Sequence, residues 1–179
     1  MKRYVGLLRG VNVGGNSKLA MADLRKLVEG LGHDGVSTLL QSGNVVFGSE
    51  RADEAALARE LERAIADGLG MSVACLVRDG AELARIVAHN PRGEHADNGS
   101  RHFVVFLSAA VDPAKLAEIE PLAKPGELIA AGEREVHLWL PAGSHSSRLS
   151  QHLIQKRLGV EVATLRNWNT VTKLATLLA

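Results

Sequence analysis

Val36-Ser37-Thr38-Leu39-Leu40-Gln41-Ser42-Gly43-Asn44-Val45-Val46-Phe47 contains two short β-rich runs, 36–40 and 45–47. The four residues between them, Gln41-Ser42-Gly43-Asn44, are a compact turn signal, so the stretch predicts a hairpin. Its flanks decide the fold. On the N-terminal side Met21, Leu24, Leu27, Val28 and Leu31 recur at helical spacing, with Gly30 and Gly32 as the stop. On the C-terminal side Asp53 is placed to cap a helix whose Leu57, Leu61 and Ile65 lie four apart. Outside both helices lie two further strand-like runs, residues 3–9 and 72–77. The order is β-α-β-β-α-β.

A helix then opens at Asp79 with Glu82 three residues on, a capping-box pattern, and must stop before Asn90-Pro91. Residues 92–101 carry no apolar period and predict a surface linker. After it the order returns. His102 to Leu107 is a strand, and Asp112-Pro113 opens a helix with Leu116 and Ile119 that Pro121 ends. Leu128 to Ala131 and Glu135 to Leu140 make a hairpin around Gly132. Residues 147–158 are expected to be a helix closed by Gly159, with Ser144 or Ser146 as its cap. Val160 to Leu165 is the last strand, and a helix follows Asn167 with Val171, Leu174 and Leu178 on one side. The expected class is α+β: two ferredoxin-like halves plus a C-terminal helix, divided as 1–90, a linker at 91–101, and 102–179. The repetition lies in the pattern of elements, with no residue-by-residue repeat.

Composition supports this reading. The 179 residues are 46% hydrophobic and 23% charged, ordinary globular values. A chain of this size buries roughly 70% of its unfolded surface and needs no staple. The single cysteine, Cys75, excludes an internal disulfide and sits in an apolar run, where a buried thiol is expected. Arg9 and Gly10 interrupt any signal-peptide core, and no apolar run reaches the ~18 residues of a membrane span, so a cytoplasmic protein is expected. A net charge of +1 gives no global attraction to nucleic acid.

Polar and glycine residues gather in three places: Arg9 to Lys18, Gln41 to Asn44, and Thr164 to Lys173. In a β-α-β-β unit the first two strands run parallel, so the loop after strand one and the hairpin after strand two emerge at one end of the sheet. That expectation puts Arg9, Asn12 and Asn16 near Ser42 and Asn44. A glycine-rich loop entering a helix is where backbone N–H groups and the helix N-terminus cradle an anion. Gly10 and Gly15 have P-loop spacing, but Asn16-Ser17 stands where that motif needs Lys followed by Ser or Thr, so it is not a P-loop. Glycine turns and self-bonding asparagines would give the same composition without any ligand.

Other constellations fall short. Ser144 to His152 offers hydroxyls and two histidines, but no G-x-S-x-G elbow and no carboxylate or Cys to complete a metal set. Aromatic residues are only 3% of the chain, few for a sheet that stacks RNA bases.

Leu7-Leu8-Arg9-Gly10-Val11-Asn12-Val13-Gly14-Gly15, Gln41-Ser42-Gly43-Asn44-Val45 and Arg166-Asn167-Trp168-Asn169-Thr170-Val171 together resemble the signature of the bacterial family called domain of unknown function 1697. The likeness takes in Asn90-Pro91 and Ser147-Arg148-Leu149, where the family more often has Lys than Arg. The resemblance implies a small bacterial cytoplasmic protein built on ferredoxin-like units. It carries over no activity, cofactor or catalytic residue.

The leading expectation from the residues is a site for a small anionic ligand, a nucleotide or phosphorylated metabolite. Arg9, Asn12, Gly14, Gly15, Asn16 and Lys18 would form it with Ser42 and Asn44, joined by Arg166, Asn169 and Lys173 if the last helix packs beside them. No catalytic residue, metal or cofactor is assigned. A nucleic-acid-binding module and a structural or protein-interaction protein are the alternatives.

Overall fold

Tyr4, Val5, Leu7 and Leu8 give Lys2–Leu8 the apolar content of a strand (β1) that is buried from Tyr4 onward. A computed structural model describes residues 1–15 and 17–179. Helix α1 (Met21–Gly30) follows, burying Met21, Leu24 and Val28. Strands β2 (Asp34–Leu39) and β3 (Asn44–Ser49) form the hairpin. Helix α2 (Glu54–Leu69) is capped by Asp53, which accepts from the Ala56 N–H, and ends at Gly70 in the left-handed conformation. Its buried stripe is Leu57, Leu61 and Ile65. Each such side chain contributes about 2 kcal/mol by leaving water. Strand β4 (Cys75–Asp79) and helix α3 (Gly80–Ala88) complete the run.

The second series is β5 (His102–Leu107), α4 (Pro113–Ile119), β6 (Leu128–Ala131), β7 (Glu135–Trp139), α5 (Gln151–Leu158), β8 (Ala163–Asn167) and α6 (Trp168–Leu178). There are two four-stranded sheets, ordered β2-β3-β1-β4 and β6-β7-β5-β8. Every neighbouring pair is antiparallel.

In each sheet one face packs on its helices. Tyr4, Leu8, Val45, Phe47, Cys75 and Val77 meet α1 and α2. Phe103, Val105, Leu107, Val136, Leu138 and Ala163 meet α4 and α5. The other face is buried too: Val5, Leu7, Val46, Leu76 and Arg78 in the first sheet, and His102, Val104, Phe106, Glu135, His137 and Arg166 in the second. Alternation in β7 marks an apolar face, as the sequence indicates, but His137 and Glu135 opposite it are just as inaccessible.

The chain divides into two units, residues 1–84 with 174–179, and residues 85–173. The expected division at 91–101 is therefore displaced. Those residues lie within the second unit, where Gly93–His95 forms a 3-10 turn and the Gly99 carbonyl accepts from Trp168 N–H at 3.1 Å. Lack of an apolar period suggested a linker; backbone hydrogen bonding makes the segment part of the unit. The helix expected at 147–158 begins only at Gln151, because Ser144–Ser146 forms a 3-10 turn and Ser147 turns back on Leu149 N–H. Its cap is Ser150, which accepts from Leu153 N–H at 3.1 Å, in place of Ser144 or Ser146.

Candidate functional site

The two units offer an internal comparison. From β1 to α1 the chain takes residues 9–20, whereas the matching connection from β5 to α4 needs only residues 108–112. Five residues therefore suffice to make this strand-to-helix connection, and the added length of the first loop is not demanded by topology. The starts of the helices differ as well. Asp112 caps α4 by accepting from Ala114 N–H at 3.0 Å. Ala20 stands at the start of α1, with no side-chain cap.

The long loop is braced from within. Leu8 N–H donates to Gly43 O at 2.9 Å, and Asn12 N–H donates to Ser17 O at 3.1 Å. The Asn12 side chain accepts from Leu19 N–H at 2.8 Å and donates to Leu19 O at 2.9 Å and Gln41 O at 2.6 Å. Across the turn, Asn44 is fully buried and donates to Leu39 O at 2.8 Å and Ser42 Oγ at 3.0 Å. Gly43, at φ +87°, has room for no side chain: a Cβ there would lie 2.6 Å from Val11 Cγ2. The loop after strand one and the hairpin turn thus meet at one end of the sheet.

Backbone strain collects there. Among the described residues the non-glycine positions with positive φ are Asn12 (+55°), Ser17 (+52°) and Leu40 (+60°), and all three belong to this loop and turn. Such conformations cost of order 1 kcal/mol or more and persist where the surroundings enforce them. Gly10, Gly14 and Gly15 are also at positive φ, with open space where a side chain would stand. Between the loop and the first turn of α1 lies an open cleft of about 550 Å³ lined by Asn12, Gly15, Lys18, Leu19, Ala20, Asp23 and Gln41.

Of the residues singled out from sequence, Asn12, Gly15 and Lys18 line this cleft. Gly14 is exposed beside it and Arg9 is half-buried at the loop's root. Ser42 and Asn44 lie in the adjoining turn. Asn16 is outside the described residues. Asp23 and Ala20 carry no such expectation, and Gln41 enters it only as part of the turn. Ala20 carries a usable sign, an alanine where most helices begin with Ser, Thr, Asp or Asn.

Arg166, Asn169 and Lys173 belong to the second unit. Arg166 is buried and donates to Thr164 Oγ1 at 2.7 Å and Leu165 O at 2.9 Å. Asn169 and Lys173 are exposed on α6. Asn167 caps α6 by accepting from Thr170 N–H at 2.9 Å. The first unit repeats the device at the end of β4. There Arg78 donates to Val77 O at 2.9 Å, and Asp79 caps α3 by accepting from Glu82 N–H at 2.9 Å. An Arg-Asx pair closing the last strand and capping the next helix therefore recurs in both units. It escapes notice in sequence because only two residues carry it.

The second sheet holds an ionic group that sequence reasoning missed. Arg85 donates to both Glu135 carboxylate oxygens, at 3.0 and 3.2 Å, and His137 Nε2 lies 3.6 Å from the same carboxylate. Burial pushes the Glu135 carboxyl up, but hydrogen bonds from His137 and Arg85 outweigh it and hold its pKa down at about 2.

A fold of two antiparallel four-stranded sheets with helices, and a braced glycine loop at one end of the first, describes the class. Within that class the chain belongs to the family described as Protein of unknown function (DUF1697), whose pattern it matches over residues 1–137. A solved structure, that of a conserved bacterial protein from Streptococcus pneumoniae, is similar to it. The TM-score is 0.76 at 24% identity over 99% of each chain, a likeness of fold. No curated protein matches the sequence. Among the described residues no helix is long and apolar enough to cross a membrane.

Proposed function

We propose that the loop between β1 and α1 binds a small anionic ligand, a nucleotide or phosphorylated metabolite, at the start of α1. The observation that carries this reading is the unequal pair of connections. The first unit spends a long, strained, glycine-rich loop where the second needs five residues, and it leaves α1 without a side-chain cap. An uncapped helix N-terminus presents N–H groups and the positive end of the helix dipole to the cleft. Lys18 supplies a full charge there, with Arg9 at the root of the loop. Gly14 and Gly15 let backbone approach the ligand. Asn12, Ser42 and Asn44 hold the loop and turn in shape. Arg166, Asn169 and Lys173 form no part of this minimal site.

The antiparallel order with the first strand at the centre supports reading each unit as ferredoxin-like. The buried lone thiol of Cys75 and the bacterial neighbour in fold support a protein of the bacterial cytoplasm. Val13 and Leu40, 62% and 52% exposed at the same loop and turn, favour a protein contact as the second reading.

A thermal-shift screen of the purified protein against inorganic phosphate, pyrophosphate, nucleoside triphosphates, sugar phosphates and short oligonucleotides tests the proposal. A ligand at about 100 times its Kd adds about 2.7 kcal/mol, several degrees of Tm at this size. The shift should vanish in Lys18→Ala and survive in the surface control Lys156→Ala. A flat screen overturns the anion reading in favour of the protein contact, and a shift with short oligonucleotides alone, steeply salt-dependent, would favour a nucleic-acid module.

A further inference from the structure

His102 opens β5 on the face of the sheet away from α4 and α5. Its side chain is wholly buried, and neither ring nitrogen has a hydrogen-bond partner among the described residues. The imidazole lies flat on the indole of Trp168, with centroids 4.6 Å apart and planes 5° from parallel. The His137 ring stands 6.0 Å from it, also buried, with Nδ1 unpartnered. Trp168 is the first residue of α6, and its N–H donates to Gly99 O. One stack therefore ties together the start of a central strand, the segment before it and the first turn of α6.

We propose that the His102–Trp168 stack is an acid-released latch: a proton on His102 breaks it and frees the first turn of α6 together with residues 99–102. A buried polar nitrogen without a partner is costly, and a buried charge without one costs far more. The surroundings oppose the charged ring from several elements. His137 on β7, and His95 and Arg92 on the segment before β5, disfavour it, and Glu94 alone favours it. On the same face Arg166 of β8 lies opposite Val104 and donates to Thr164 and Leu165, and the carboxylate of Glu135 is already committed to Arg85. Burial, then His137 and His95, pull the His102 pKa down to about 4 from 6.5. The released ring regains its ordinary proton affinity. Each pH unit below 6.5 thus favours release up to tenfold, and about 150-fold by pH 4, where the latched ring is itself half-protonated.

The full chain serves for the test, because both of its tryptophans, Trp139 and Trp168, lie in the second unit. Tryptophan emission and acrylamide quenching are followed from pH 7 to about pH 4. The expected result is a reversible red shift and greater quenching, with a midpoint between 4 and 6.5. His102→Phe keeps an aromatic plane on Trp168 and removes the proton, so its midpoint should fall by about one pH unit or more. An unchanged midpoint in that variant overturns the latch. Proton NMR of the wild-type histidine rings decides independently of that variant's folding. His102 must titrate with the tryptophan change and below the ordinary imidazole range; titration near 6.5 without any change at Trp168 refutes the proposal.

Discussion

Asn12 reaches across from the loop to donate its side-chain amide to the carbonyl oxygen of Gln41, 2.6 Å away in the hairpin turn. The same side chain closes a two-way bond with the backbone of Leu19, so one residue fastens the loop at both its far end and its neighbour. Asn is one of the few side chains that tolerates its φ of +55°.

Asn12→Ala should therefore lower stability by about 1–3 kcal/mol, through unpaired backbone groups and a left-handed residue with a Cβ. Asn12→Gly removes the bonds but relieves the backbone, so it should cost less than Ala. Urea denaturation of the two variants separates these terms. Equal losses in both would show that the backbone conformation contributes nothing.

Leu40 is 52% exposed at φ +60°. Leu40→Gly gives up little buried area and removes the left-handed strain, so stability should rise by about 1 kcal/mol and Tm by a few degrees. A fall in Tm would mean that the Leu40 side chain packs more than its exposure suggests.

Arg85→Met leaves the Glu135 carboxylate buried without its bidentate donor, at a cost of about 3–5 kcal/mol. Glu135 has a folded pKa of about 2 against 4.5 for the free group. Its stabilisation is present above 4.5 and fades as pH falls toward 2. His102 acts in the window above: its lowered pKa makes stability fall as pH drops from 6.5 to 4. Acid denaturation curves of Arg85→Met should therefore lose slope below about pH 4.5 and keep it above. A change confined to the upper window would contradict the assignment.

Asn167→Ala removes the cap of α6 and should cost about 1 kcal/mol. Asn167→Asp keeps the acceptor and should retain most of the stability. Thermal melts of the pair check this; equal losses would place the role of Asn167 elsewhere.

Much of this was legible in the residues themselves. The apolar periods of α1 and α2, the caps Asp53, Asp79, Asp112 and Asn167, and the hairpin around Gln41-Ser42-Gly43-Asn44 are local: spacing and capping chemistry act within a few residues. The meeting of the glycine loop with the hairpin turn followed from topology alone, because parallel strands must deliver both to one end of a sheet. The residues at which sequence and structure differ depend on distant partners. Residues 91–101 look like a linker until Gly99 O is seen holding Trp168 N–H. Ser150 takes the cap that Ser144 and Ser146 offered equally well by type. Asn12 and Asn44, polar enough to be ligand contacts, are drawn inward by backbone carbonyls whose positions no sequence window contains. The ionised state of Glu135 and the neutrality of His102 are likewise tertiary, since burial and partners set a pKa and the partners come from elements far apart in the chain. Sequence determined the elements and their order; only the packed structure decided which polar side chains face a cleft and which brace the fold.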